Sequence, residues 1–466
     1  MIKNVKNIAK TMKSLFALAV ALNLMIICGA TYSYSQTEKI NAAGRIISPE
    51  QMREDLDYLV QKLKNVHPST YKGFSQQQQS IIEEAYKQII EPVSTSRFFF
   101  VVSAVIASLN DAHSLVYLEA ERCINLPIVS FKDGFYIRQS TEHFQKGDKV
   151  ISLGSMTADS IFQKLKYSIS AENDQWRKAF IELWISVDSA LGYLNLIDND
   201  SVAVTVSRDG APVTEKTPLE PCKNIDWSYR KIRDPFVGYT IYSDHSLGVL
   251  YIDRCINDDY YRNTLHSFFS EVAENKIKNI AVDLRRNHGG NSGVIMEFLT
   301  YFNIDKFKRW GVEMRFSSET AETKEATNNK LQKDYVKTEP GNYSNKKLRK
   351  DSKLLFKGNL FVMTSMQTFS SAATFATVIK DNRLGTIIGE PTGNAPSIFG
   401  ELLGFNLPNS EFAFSVPYKK ITRPKPDNNP QDALYPDIPV YTTRDDLLLD
   451  RDPQLERIKN IIKKRR

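Results

Sequence analysis

Cysteine is scarce in this chain of 466 residues: four occur, Cys28, Cys123, Cys222 and Cys255. No two of them have metal-ligand spacing, and scattered cysteines make no disulfide framework, so a zinc-ribbon fold and a disulfide scaffold are both excluded. If Cys28 is removed with a leader, one bridge is allowed with one thiol left over; three small buried side chains is the simpler expectation. None of the six histidines forms an HExxH pair, which argues against a zinc peptidase. A glycine-rich turn is present, but it matches neither the dinucleotide pattern nor the P-loop pattern with its lysine. Charge of one sign is also lacking. Lys+Arg number 61 against 54 Asp+Glu, and much of the +7 excess lies in Lys3, Lys6, Lys10 and Lys13 and in the tail Lys459, Lys463, Lys464, Arg465 and Arg466. A polyanion-binding protein carries its excess on a folded face, so nucleic acid is not an expected partner. No apolar run reaches the roughly 20 residues that cross a bilayer.

What is there is ordinary globular composition, 42% hydrophobic and 25% charged, in a chain long enough for two or three domains. Residues 1–35 read as an export signal: lysines, an apolar stretch from about Leu15 to Cys28 broken by Asn23, and a close at Ser33-Tyr34-Ser35. Cleavage leaves no integral membrane span and an exported protein, periplasmic or extracellular. Cys28 offers a lipoprotein tether as the alternative, against which Ile26-Ile27 are bulky for the usual cleavage site.

Residues 36–122 form a helical segment. Ser48-Pro49-Glu50-Gln51 is a helix start, Met52, Leu56, Leu59, Val60 and Leu63 follow at helical spacing, and helices are expected at 76–90 and 96–109. Between 123 and 233 short alternating runs, such as Val202-Ala203-Val204-Thr205-Val206 before Asp209-Gly210, predict an independent β-rich module with helical excursions. From 234 to 446 strands and helices alternate, and Ile280-Ala281-Val282-Asp283-Leu284 is apolar enough to be buried on both faces. That pattern predicts an α/β domain with a largely parallel sheet. Phe307 to Lys353 reads as a long polar surface excursion, and 447–466 as a C-terminal helix with a basic tail.

Three places can carry chemistry. Ser370, in Phe369-Ser370-Ser371-Ala372, follows a strand and opens a helix, where free N–H groups favour developing negative charge. Asp283-Leu284-Arg285-Arg286-Asn287-His288-Gly289-Gly290 runs from a buried strand into glycines that let backbone N–H groups approach an oxyanion. His113, in Asp111-Ala112-His113-Ser114, is of the residue type that activates a serine at neutral pH, with His288 as its main competitor and His67 read as a helix-end residue.

In this order the motifs resemble the carboxy-terminal-processing (tail-specific) and tricorn-type serine peptidases. Asp283 to Gly293 is similar to that family's strand-turn, Thr364 to Ala372 to its nucleophile segment, and Gly389-Glu390-Pro391-Thr392-Gly393 to its Gly-Glu-x-Thr segment. Asn110 to Ser114 is similar to its upstream histidine segment, and Tyr435-Pro436-Asp437-Ile438 to its Pro-Asp element. The resemblance implies a crotonase/ClpP-like catalytic domain, with the middle module in the place of the family's PDZ-like domain. It implies an endopeptidase acting on polypeptide and needing no metal or organic cofactor. Ser370 takes the nucleophile's place, with Ser371 as fallback, and the N–H of Ser371 with that of Gly289 or Gly290 forms the oxyanion hole. The lysine base of the carboxy-terminal-processing branch would fall in Gly393-Asn394-Ala395-Pro396, where there is none, so His113 is the expected base. Glu390, Glu401 and Asp432 are the candidates for the acid that orients it, Glu401 foremost. A homologue of the same fold that binds peptide without cleaving it is the alternative.

Overall fold

The computed structural model describes residues 45–465 except 118–119, 324–333, 347–349 and 427–428. The export-signal reading and Cys28 lie outside the described residues. Ser48 caps the helix Pro49–Val66 through a capping box with Gln51, and Met52, Leu56, Leu59, Leu63 and Val66 form its buried stripe. Helices Gln76–Gln88 and Thr95–Ala107 follow close to the expected bounds. No helix among the described residues is long and apolar enough to cross a membrane.

The middle of the chain builds an antiparallel sheet from Arg122–Ile124, Ile128–Phe131, Gly134–Ile137, Lys149–Leu153, Ser201–Arg208 and Ala211–Pro221. Ser201–Arg208 shows the expected alternation, with Val202, Val204 and Val206 buried. Helix Asp174–Trp184 lies between these strands in sequence. The module is not packed as an independent unit. Its valines and leucines share one hydrophobic cluster with Phe98, Phe99 and Ile106 of the helical segment and with Phe369 of the α/β region. Cys123 and Cys222 form a disulfide, while Cys255 is free and buried, so the expectation of three separate thiols is corrected. The bridge closes a separation of 99 residues, for which loss of chain entropy in the unfolded state contributes about 4.7 kcal/mol.

The α/β region is a six-stranded sheet in the order Val237–Tyr242, Leu247–Ile252, Asn279–Asp283, Asn359–Thr364, Thr386–Gly389, Ile438–Pro439. All neighbours are parallel except the antiparallel first pair. All five residues of Asn279–Asp283 are buried, as its apolar run requires. Helices Asp259–Glu274, Gly293–Leu299 and Ser371–Asp381 cover the sheet. The stretch after Lys306 is more than a surface excursion. Gly311–Arg315 pairs with both Tyr335–Thr338 and Ala413–Thr422, joining a second sheet with Ile398–Asn406. Leu115–Val116, just after His113, pairs with that same strand Ala413–Thr422. This pairing brings the end of the helical segment to the α/β region.

Candidate active site

Ser370 stands between the strand Asn359–Thr364 and the helix Ser371–Asp381. Its φ of 54° and ψ of −126° are an unusual backbone state for a non-glycine residue, which costs about 1–3 kcal/mol and persists only where neighbours enforce it. They do so here. Ser370 N–H donates to Asn394 Oδ1 at 2.6 Å, and Thr374 N–H donates to Ser370 O at 2.9 Å. Upstream, Phe369 N–H donates to Asn287 O at 3.0 Å and Thr368 Oγ1 donates to Leu284 O at 2.9 Å. The serine turn is thereby pinned to the glycine turn. Asn394 is buried and holds the Ser370 backbone.

His113 Nε2 lies 3.0 Å from Ser370 Oγ, across 257 residues of sequence. The ring stacks on Phe369, centroids 4.6 Å apart, and Phe369 stacks on Trp176 at 4.0 Å. His113 O accepts from Ser415 Oγ at 3.0 Å, fixing the backbone behind the ring. Burial pushes the imidazole below its ordinary value, only partly opposed by the charge of Asp111. His113 is therefore neutral at neutral pH, the state a base requires.

Asp111 is the carboxylate behind this histidine. Its Oδ1 accepts the His113 N–H at 3.0 Å and lies 3.8 Å from His113 Nδ1. Its Oδ2 accepts from Ser114 Oγ at 2.7 Å and meets His67 Nε2 at 3.2 Å. The His67 tautomer follows from its other nitrogen. Nδ1 accepts the Ser69 N–H at 3.2 Å, so the proton sits on Nε2 and is donated to Asp111. Burial raises the Asp111 carboxyl, but His67, His113 and Ser114 together outweigh it and hold the group below the usual range. Glu172 Oε2 accepts the Ala112 N–H at 3.3 Å. Burial and the Asp111 charge push the Glu172 carboxyl well up, and this second acid supports the loop through the Ala112 N–H.

The glycine turn lies against the serine. A Cβ built on Gly289 would sit 2.5 Å from Ser370 Cβ and 3.0 Å from Ser371 N. Gly289 N–H donates to Asn287 Oδ1 at 2.8 Å and is thus spoken for. Gly289 O accepts from Cys255 N–H at 3.0 Å, which turns the Gly290 N–H of the same planar peptide away from Cys255. Neither Gly290 N–H nor Ser371 N–H has an acceptor among the described residues, and Gly290 is exposed.

Several sequence expectations are corrected by these contacts. Ser371 Oγ donates to Gly290 O at 2.6 Å and lies 2.9 Å from Ser292 Oγ, so its hydroxyl is a tie and not a spare nucleophile. Glu401 is exposed, pairs with Lys419 at 3.6 Å, and makes no hydrogen bond to His113. Its place in the strand Ile398–Asn406 directs it to that lysine. Glu390 accepts from Thr442 N–H at 3.1 Å, and Asp432 accepts from Tyr435 Oη at 2.9 Å. His288 meets Trp176 edge-on at 6.1 Å; burial and nearby arginines push it down to about 4. Sequence reasoning assigned no part to His67, Asn394 or Glu172. Asp111 stood in the quoted motif, two residues before His113, and that adjacency was the available signal. Among the described residues no three His, Cys, Asp or Glu side chains are grouped to hold a metal.

Residues 246–440 match the family model described as Peptidase family S41. No curated protein matches the sequence. Among solved structures, mature CPAF complexed with lactacystin aligns with a TM-score of 0.67 at 15% identity, covering 89% of this chain and 98% of that one. Mature CPAF without it aligns at 0.65 with 15% identity, covering 89% and 97%. At this identity the likeness shows a shared fold alone, across nearly the whole described chain. Residues 246–440 are thus similar to the serine-type peptidases of family S41.

Proposed function

We propose that this protein is an exported serine endopeptidase with Ser370 as nucleophile, His113 as general base and Asp111 as the acid behind it. One observation carries the reading: the imidazole and hydroxyl meet at 3.0 Å although 257 residues separate them. His113 Nε2 takes the proton as Ser370 Oγ attacks the peptide carbonyl, then returns it to the leaving amine. Asp111 faces the imidazolium that forms in between, and His67 and Ser114 keep that carboxylate ionised and oriented. The N–H groups of Gly290 and Ser371 are the donors for the tetrahedral oxyanion. Gly289, whose own N–H is occupied, contributes the close approach that places them. Water then repeats the cycle on the acyl-enzyme.

The parallel sheet with Ser370 at a strand-to-helix turn supports a crotonase/ClpP-like catalytic domain, and the antiparallel module of 123–233 supports a PDZ-like role in which peptide adds as a strand. The Cys123–Cys222 disulfide fits an oxidising compartment and so an exported protein. A fluorophosphonate probe tests the catalytic assignment: labelling is expected at Ser370 in the wild type and lost in His113→Ala. Peptide binding without labelling would favour the non-catalytic alternative.

The pH profile gives a second test. Because the folded pKa of His113 is depressed, the base stays unprotonated as pH falls through the ordinary histidine value. The acidic limb of kcat/KM should then have its midpoint below about 6.5. Asp111 is the influence that raises His113, so Asp111→Asn should move the midpoint lower still while slowing turnover. A midpoint above that of a free histidine would contradict this assignment of the base.

A further inference from the structure

Beside the glycine turn the protein gathers more positive charge than it neutralises. Arg286 lies three residues before Gly289, at most about 11 Å away along the chain. Arg254 directly precedes Cys255, which bridges Gly290. Arg230 comes from the turn Ser228–Arg230, and the guanidiniums of Arg230 and Arg138 lie 5.6 and 5.8 Å from the Tyr229 ring. The acids nearby are largely committed. Asp253 is gripped by Arg233 at 2.8 and 2.5 Å, and Asp283 by Arg285 at 2.9 Å. Glu182 accepts the Ser130 N–H at 2.7 Å and stands 3.8 Å from Arg230, too far for a hydrogen bond. Among the described residues no carboxylate pairs with Arg138, Arg254 or Arg286, whose Nη2 donates to Lys231 O.

A second observation points to a ligand. Arg230 Nε, His288 Nδ1 and Trp176 Nε1 are buried polar atoms without a hydrogen-bond partner among the described residues. Such groups are costly to leave unmade, several of them together in one region especially so. The region adjoins the catalytic serine, since Trp176 meets His288 and stacks on Phe369, the neighbour of Ser370.

We propose that Arg230, Arg286 and Arg138, with Tyr229 and His288, form a carboxylate subsite that gives this peptidase a preference for acidic groups within a few residues of the scissile bond. The inference rests on the peptidase reading above and adds a substrate class to it. A side-chain carboxylate and the α-carboxylate of a short product-side segment present the same chemistry, and both fit guanidinium donors.

Matched peptides carrying Glu or Gln beside the cleavage point, each with a free or an amidated C-terminus, distinguish the two sources. Wild type should show kcat/KM about 10-fold or more higher for one acidic series, through KM. That ratio should fall toward one in Arg230→Gln and Arg286→Gln, and also in high salt. Equal rates for all peptides in the wild type, or a ratio that survives both substitutions, would overturn the subsite. Loss of kcat on neutral and acidic peptides alike, with the ratio at one, would mean that the arginines act on the oxyanion, and would overturn it too. Binding of the same peptides to Ser370→Ala, read by fluorescence anisotropy, keeps the two readings separate. Acidic preference in binding without any wild-type turnover supports the subsite and counts against the peptidase.

Discussion

Replacing Ser370 by Ala should lower turnover on the order of 10⁵-fold, about 7 kcal/mol of barrier, while leaving the fold intact. Alanine keeps the same strained backbone state, so that strain is unchanged. The fold loses only one neutral hydrogen bond to His113, about 1 kcal/mol. The Asn394, Thr374 and Asn287 contacts that hold the turn use backbone atoms of 369–370 and survive the substitution. Steady-state hydrolysis together with a thermal melt reads both effects. His113→Ala should cost nearly as much, and the double variant hardly more than either single one, because base and nucleophile act as one unit. If Ser370→Ala keeps more than a few per cent of wild-type turnover, another residue is the nucleophile.

Gly289→Ala should produce the second large loss, on the order of 10²-fold in kcat/KM, although it removes no group that touches substrate. At φ +102° the new Cβ would lie 2.5 Å from Ser370 Cβ and 3.0 Å from Phe369 O and Ser371 N. Two of those neighbours are backbone atoms, so relief comes by moving the nucleophile and its adjacent N–H. The strained φ adds about 1–3 kcal/mol of destabilisation. The slowed fluorophosphonate labelling expected here separates a displaced nucleophile from weakened peptide binding. Labelling at the wild-type rate would mean that the serine turn can yield without moving Ser370.

Much of the catalytic region could be read from local pattern. The continuous apolar run 280–284 announces a strand buried on both faces, and it is one. Ser48, Pro49 and Gln51 specify a helix start by short-range hydrogen bonds that require no tertiary partner. Ser370 and His113 were candidates because a serine opening a helix and a histidine at a helix-end loop are local motifs, and the resemblance joined them. The acid was not. Glu401 was one of three candidates, but its strand carries it to Lys419, while a pairing between Leu115–Val116 and Ala413–Thr422 sets the Asp111 loop beside the site. His67 shows the same limit, since its position at a helix end is local but its bond to Asp111 spans 44 residues.

The order of elements, the glycine turn, and the types of residue available as nucleophile and base were written in the chain, because each depends on neighbours a few positions away. Which N–H groups stay free, which serine is tied, and that none of Glu390, Glu401 and Asp432 reaches the histidine were decided only by tertiary packing. Hydrogen bonds saturate, and Ser292 and Asn394 had to arrive from elsewhere in the chain to claim Ser371 and the Ser370 N–H before the remaining donors and the nucleophile's hydroxyl could be identified.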